Sequence, residues 1–181
     1  MLKHVALLGF AAFSGTGKTT LLEQLIPILR AHGVRLAAIK HAHHDFDIDY
    51  PGKDSYRLRK AGAMQTLVAS RQRWALVTEN ENPALEPNLF ELLTHIDTRQ
   101  VDLVLVEGFK HEVFPRIELH RPSLGHPCLY LDDTNIIAIA CDQALATPPS
   151  LPLLDLNDPQ AIASFIIATT QPELSGETNH D

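Results

Sequence analysis

Three nearly unbroken apolar runs punctuate the chain: Val5 to Ala12, Val101 to Val106 and Ile136 to Cys141. Short runs of this kind read as strands covered on both faces, as in a parallel sheet. Between the first of them and a further strand pattern, Val34 to Lys40, the period changes. Leu21, Leu25 and Ile28 form one row and Leu22, Ile26 and Leu29 the next, which predicts a helix from about Lys18 to His32. Gly33 supplies its stop, and Pro27 removes the backbone bond back to Glu23. Strand, helix and strand in this order predict a right-handed βαβ unit.

The alternation breaks further on. Met64 to Ser70 and Trp74 to Glu79, joined by Arg71-Gln72-Arg73, predict a hairpin. Trp74, the only tryptophan, is expected in the core or at an interface between copies. A short helix is predicted from Asp54 or Ser55 to Lys60, with Arg57, Arg59 and Lys60 as a solvated basic face, and a longer helix from Leu85 to Ile96. Arg116 to His120 alternates Ile117 and Leu119 with charged neighbours and reads as a strand; Leu129 to Leu131 reads as a short edge strand. Leu153 to Leu156 is a last strand. Pro159 to Thr169 is a last helix burying Ala161, Ile162, Phe165 and Ile166.

The first strand and the first helix enclose Ala12-Phe13-Ser14-Gly15-Thr16-Gly17-Lys18-Thr19-Thr20. Strand, glycine-rich turn, Lys-Thr, helix is the layout of a phosphate-binding loop. Gly15 and Gly17 let several N–H groups converge on one anion, and the helix start adds unpaired N–H groups and its positive dipole end. Ser14, Gly15, Thr16, Gly17, Lys18, Thr19 and Thr20 are therefore the expected nucleotide contacts, with Lys18 on the outer phosphates and the Thr19 hydroxyl on Mg²⁺. The template asks for glycine at position 12, where Ala12 stands; directly after a strand, a negative φ suits alanine. The expected fold is thus a three-layer α/β P-loop NTPase with a mainly parallel central sheet and a hairpin insertion. It forms one domain over residues 1–171, with a polar tail at 172–181.

Two further stretches begin where strands end, the edge on which open α/β sheets bind ligands. Lys40, His41, His43, His44, Asp45, Asp47, Asp49 and Lys53 form the first. It reads as a substrate or switch loop, as a zinc or nickel site, or as a solvated polar loop. In the second, Glu107 closes a buried strand before Gly108, where such a fold needs a carboxylate beside the metal; Lys110 and His111 follow at the same edge. Glu107 is the candidate catalytic group and, with Thr19, the candidate metal contact. Asp142 ends another strand and could accept from guanine N1 and N2, or serve simply as a turn residue.

The formal net charge is −7 and no long basic stripe is present, which argues against nucleic acid as the main partner. Cys128 and Cys141 form no C-x-x-C pair, which points to a reducing cytoplasm rather than a disulfide framework. The apolar run after Met1 is too short to span a membrane.

Taken together, the loop Phe10 to Thr20, then Ile39-Lys40-His41-Ala42-His43-His44-Asp45, Pro51-Gly52-Lys53-Asp54-Ser55-Tyr56-Arg57 and Leu105-Val106-Glu107-Gly108-Phe109-Lys110 closely resemble the MobB family of molybdopterin-guanine dinucleotide biosynthesis adaptor proteins. The resemblance reaches to about Thr170. It implies a GTP- and Mg²⁺-binding homodimer with weak GTPase activity. It also implies a partnership with MobA, the guanylyltransferase that joins GMP to molybdopterin. Two other readings of the residues stand beside it. A small-molecule kinase would use Arg57, Arg59, Arg71 and Arg73 as a lid, and a metallochaperone-like NTPase would use His41, His43 and His44.

Overall fold

The computed structural model describes residues 5–42, 46–82, 85–145 and 147–170. The chain divides into two units, one of Met1–His41 with Leu89–Asp181 and one of Ala42–Asn88.

In the first unit the apolar runs become strands β1 (Ala6–Ala11), β2 (Leu36–Lys40), β5 (Leu103–Glu107), β6 (Arg116–His120), β7 (Ile136–Cys141) and β8 (Leu153–Asp155). The intervening β3 (Gln65–Ala69) and β4 (Trp74–Thr78) belong to the second unit. The six strands form one sheet in the order β2-β5-β1-β6-β7-β8, and every pairing in it is parallel. The expected α/β class with a parallel central sheet is what the chain adopts.

Helices cover this sheet because strands buried on both faces leave no face to water. One cluster joins Leu8, Phe10, Leu105, Ile117, Leu119 and Ala140 of the sheet to Leu21, Leu25 and Leu29 of α1 (Lys18–Ala31) and, beyond the short helices of the middle of the chain, to Ile162 and Ile166 of the C-terminal helix Pro159–Thr170. A second cluster gathers Val104, Val106, Phe109 and Phe114 around Leu89. α1 runs through Pro27 and ends as predicted at Gly33, whose φ is +83°. Val34 N–H donates to Leu29 O at 3.1 Å and Gly33 N–H to Arg30 O at 3.0 Å, closing the last turn.

In the second unit, α2 (Asp54–Lys60) precedes the antiparallel hairpin of β3 and β4. Ser70 shapes its turn, its hydroxyl accepting from Gln72 N–H and Arg73 N–H. Arg59 is not part of a solvated face: its side chain is only 8% exposed and its guanidinium donates to Asp47 and to Glu79. Trp74 is 66% exposed, so the core reading of that residue does not hold.

Two other predictions need correction. The helix expected over Leu85–Ile96 shrinks to α3, Leu89–Leu93, followed by a turn in which His95 N–H reaches Leu92 O and Ile96 N–H reaches Leu93 O. Pro87 lacks an N–H and holds Glu86 out of the helical region, so no helix starts before it. Leu129–Leu131 is a single 3₁₀ turn rather than an edge strand. The N–H groups of Leu129 and Tyr130, which a ladder would need, both donate to the Glu118 carboxylate. The C-terminal helix takes the label α4.

Candidate functional site

The site is built from the C-terminal ends of β1, β2, β5 and β6. Register fixes which residues meet there: Phe10 of β1 and Lys40 of β2 both stand opposite Glu107 of β5, and Ala11 stands opposite Glu118 of β6.

The glycine loop leaves β1 and folds on itself. Thr16 is 3% exposed, and its hydroxyl donates to Phe13 O at 2.8 Å, so that side chain closes the loop rather than facing outward. Gly15 has φ +82° and Gly17 φ +98°, left-handed values that side chains rarely adopt. Gly17 caps α1, with Leu21 N–H donating to its carbonyl at 3.0 Å. Ser14, Gly15, Thr19 and Thr20 are exposed at this helix start. The first N–H groups of a helix have no intrahelical partner, a feature that suits an anion.

Charge converges on Glu107. Lys18 Nζ lies 3.7 Å from its Oε1 and Lys40 Nζ 3.3 Å from its Oε2. Two ammonium groups, one from the helix start and one from the neighbouring strand, thus share one carboxylate. His41 continues from Lys40, its N–H donating to Glu107 O at 2.8 Å, and its ring stacks on Phe109 with centroids 4.9 Å apart. Gly108 and Phe109 turn the chain sharply, with φ +93° and +53°. Lys110 is exposed just beyond.

Several supporting residues carry signals that the sequence reading passed over. Arg116 is 3% exposed. Its guanidinium donates to Asp133 Oδ2 and Phe109 O, both at 2.9 Å, and also to Lys110 O and Glu112 O. It holds the turn after Glu107 from behind. Arg121 donates to Thr16 O at 2.9 Å and to Asp142 Oδ2 at 2.5 Å. Phe13 stacks on His126 at 4.3 Å. The segment after β6 is therefore tied to the glycine loop at two points. Arg121 directly follows a strand at the ligand edge, and that position was the available signal.

Asp142 lies at the end of β7 as expected, with Oδ2 taken by Arg121 and Oδ1 buried without a partner among the described residues. Lys53 caps α2 in the second unit, its ammonium 5.3 Å from the centre of the Tyr50 ring. His43, His44 and Asp45 lie outside the described residues. A cavity of about 600 Å³, lined in part by Ile26, Arg30, Val34, Leu36 and Gln100, opens near the start of β2, away from the glycine loop. Among the described residues no helix is long and apolar enough to cross a membrane.

Fold and site together define a parallel α/β protein with a glycine-rich turn between its first strand and first helix, and a lysine-flanked carboxylate beside it. The family model for molybdopterin guanine dinucleotide synthesis protein B matches residues 7–142, and the chain belongs to this MobB family. It is 52% identical over 170 residues to a molybdopterin-guanine dinucleotide biosynthesis adapter protein of Escherichia coli (strain K12), covering 93% of this chain and 95% of that one. The corresponding protein of Haemophilus influenzae is 43% identical, with 92% and 90% covered. Among solved structures, a crystal structure of molybdopterin-guanine biosynthesis protein B superposes with a TM-score of 0.71 at 24% identity, covering 91% of this chain and 99% of that one. Bacillus subtilis MobB gives 0.70 at 22% identity, with 92% and 98% covered. At such identities the superpositions speak for the fold.

Proposed function

We propose that this chain is a GTP-binding adaptor of molybdopterin guanine dinucleotide biosynthesis, acting with a MobA-type guanylyltransferase and hydrolysing GTP only slowly. Membership of the MobB family supports the pathway. The observation that carries the nucleotide reading is the meeting of Lys18, Lys40 and Glu107 beside the left-handed Gly15 and Gly17 at the start of α1. Positive side chains and free N–H groups suit a polyphosphate. A hydroxyl and a carboxylate are hard oxygen donors and suit Mg²⁺, so Thr19 and Glu107 would hold the ion, which neutralises phosphate charge when bound. Ser14 and Thr20 would complete the phosphate cradle, and Thr16 would hold its shape through its bonds to Phe13 O. Asp142 would face guanine, and Lys110 with the loop from His41 to Lys53 would respond to nucleotide or meet the pterin phosphate.

The proposal extends to a cytoplasmic homodimer. Exposed apolar side chains on the hairpin, among them Leu67, Val68 and Trp74, support pairing of two copies.

The test is calorimetric titration of GTP and ATP, in Mg²⁺, with and without the guanylyltransferase. GTP binds more tightly than ATP if the reading holds. Lys18→Ala weakens GTP by roughly 30- to 150-fold, the loss of about 2–3 kcal/mol of charge-assisted bonding. Unchanged GTP affinity in that variant rejects the assignment.

A further inference from the structure

Behind β6 lies a group of side chains that the nucleotide site does not use. β6 is an inner strand of the sheet, and both of its faces are covered, with every residue from Arg116 to His120 buried. Its polar set, Arg116, Glu118 and His120, is buried in full. Arg116 is accounted for by Asp133 and by the turn after Glu107. Glu118 and His120, 1% and 6% exposed, have no lysine or arginine at hydrogen-bonding distance among the described residues.

What faces them is a thiol. Cys128, on the connection from β6 to β7, has Sγ 3.8 Å from His120 Nε2. His120 Nδ1 lies 3.7 Å from Glu118 Oε1. One donor atom from each of Glu118, His120 and Cys128 falls within 4.8 Å of the other two. Zinc with Zn–S near 2.3 Å and Zn–N near 2.0 Å places tetrahedral donors about 3.5 Å apart, so small side-chain movements close the set on one ion. The carboxylate is already aimed: its oxygens accept from Leu129 N–H at 2.7 Å and Tyr130 N–H at 2.8 Å. A carboxylate has about four lone-pair sites, so both oxygens keep capacity for a metal. A further donor is at hand, because Cys141 of β7 stands opposite His120 in the ladder and is 5% exposed. Residues paired across a ladder share a face.

We propose that Glu118, His120 and Cys128, with Cys141 as a neighbouring fourth donor, form a binding site for one thiophilic divalent cation of the zinc class. Thiolate and imidazole donors select zinc over magnesium or calcium, which take oxygen ligands. The site is therefore chemically distinct from Thr19 and Glu107, and it does not depend on the nucleotide reading. Its ion would fasten the segment that Arg121 and His126 tie to the glycine loop.

The experiment uses the full chain, stripped with chelator and titrated with Co²⁺ alone in excess Mg²⁺. One equivalent is expected to bind, with the visible bands of a tetrahedral ion and a thiolate-to-cobalt charge-transfer band, both abolished by added Zn²⁺. Cys128→Ser, nearly isosteric, lowers the charge-transfer band to at most the Cys141 contribution and weakens Zn²⁺ at least about tenfold. The proposal is overturned by a lack of saturable binding. Tetrahedral bands without thiolate charge transfer, which would put the ion on imidazoles or carboxylates elsewhere, also overturn it. So does a Cys128→Ser spectrum identical to wild type.

Discussion

A β carbon placed on Gly108 would stand 2.6 Å from Cβ of His41. The end of β5 and the residue after β2 are packed so closely that only glycine fits between them, and the same glycine has φ +93°. This contact sets the distance between the two edges that deliver Glu107 and Lys40 to the site.

Gly108→Ala is therefore expected to cost on two counts, the clash and the left-handed backbone. A loss of roughly 2–4 kcal/mol in urea unfolding is expected from an overpacked contact combined with strain. Gly15→Ala makes a useful comparison, because its φ is also positive but nothing lies within 4 Å of the added carbon. It should lose only about 1 kcal/mol from backbone strain. Equal losses in the two variants would show that the His41 contact is not limiting.

Glu107→Gln keeps the shape of the side chain and removes the charge shared by Lys18 and Lys40. On the proposed function, nucleotide binding becomes nearly indifferent to Mg²⁺, while wild type binds more tightly in its presence. Paired titrations with Mg²⁺ and with chelator measure the difference. An undiminished Mg²⁺ effect in the variant would remove Glu107 from the metal site.

Arg116→Met tests the support behind the site. The guanidinium is buried, and its removal leaves Asp133 and several carbonyls without their donor. Breaking one side of a buried pair costs about 3–5 kcal/mol. Denaturant unfolding should show a loss of this size, and Arg116→Met with Asp133→Asn should recover part of it.

Asp133 also gives a pH dependence. Burial works to raise its carboxyl, but bonds from Asn135 and the charge of Arg116 outweigh it, so the pKa lies below its ordinary value of 3.8. A folded-state pKa below the unfolded one contributes stability that is present above the unfolded value and lost as pH falls through the folded value. Urea midpoints measured from neutral pH into the acid range should therefore fall at the low end. Asp133→Asn should fall less steeply there, and parallel curves for the two proteins would refute the linkage.

Much of this molecule was legible in its sequence, for reasons that differ by element. Continuous apolar runs place β1, β5 and β7, since a strand buried on both faces needs no alternation. Gly15, Gly17 and Gly33 fall where the backbone turns left-handed, a purely local demand. The Ser-Gly-Thr-Gly-Lys-Thr order likewise specifies its own strand, turn and helix. Neighbour relations were not legible. Arg116-Ile117-Glu118-Leu119-His120 alternates like a half-wet strand, yet every residue in it is buried. Ile117 and Leu119 pack with α1 and α4 on one face, and Asp133 and the Cys128–Tyr130 connection meet Arg116, Glu118 and His120 on the other, long-range contacts that local pattern does not encode. Arg59, read as one of a basic row, is claimed by Asp47 and Glu79 from elements distant in the chain. The sequence by itself determined the glycine loop and the parallel strands, because those follow from backbone sterics and apolar period. Only the tertiary structure decided that Lys18 and Lys40 share Glu107, and that Glu118, His120 and Cys128 meet, because long-range packing alone brings charges and donors together across strands.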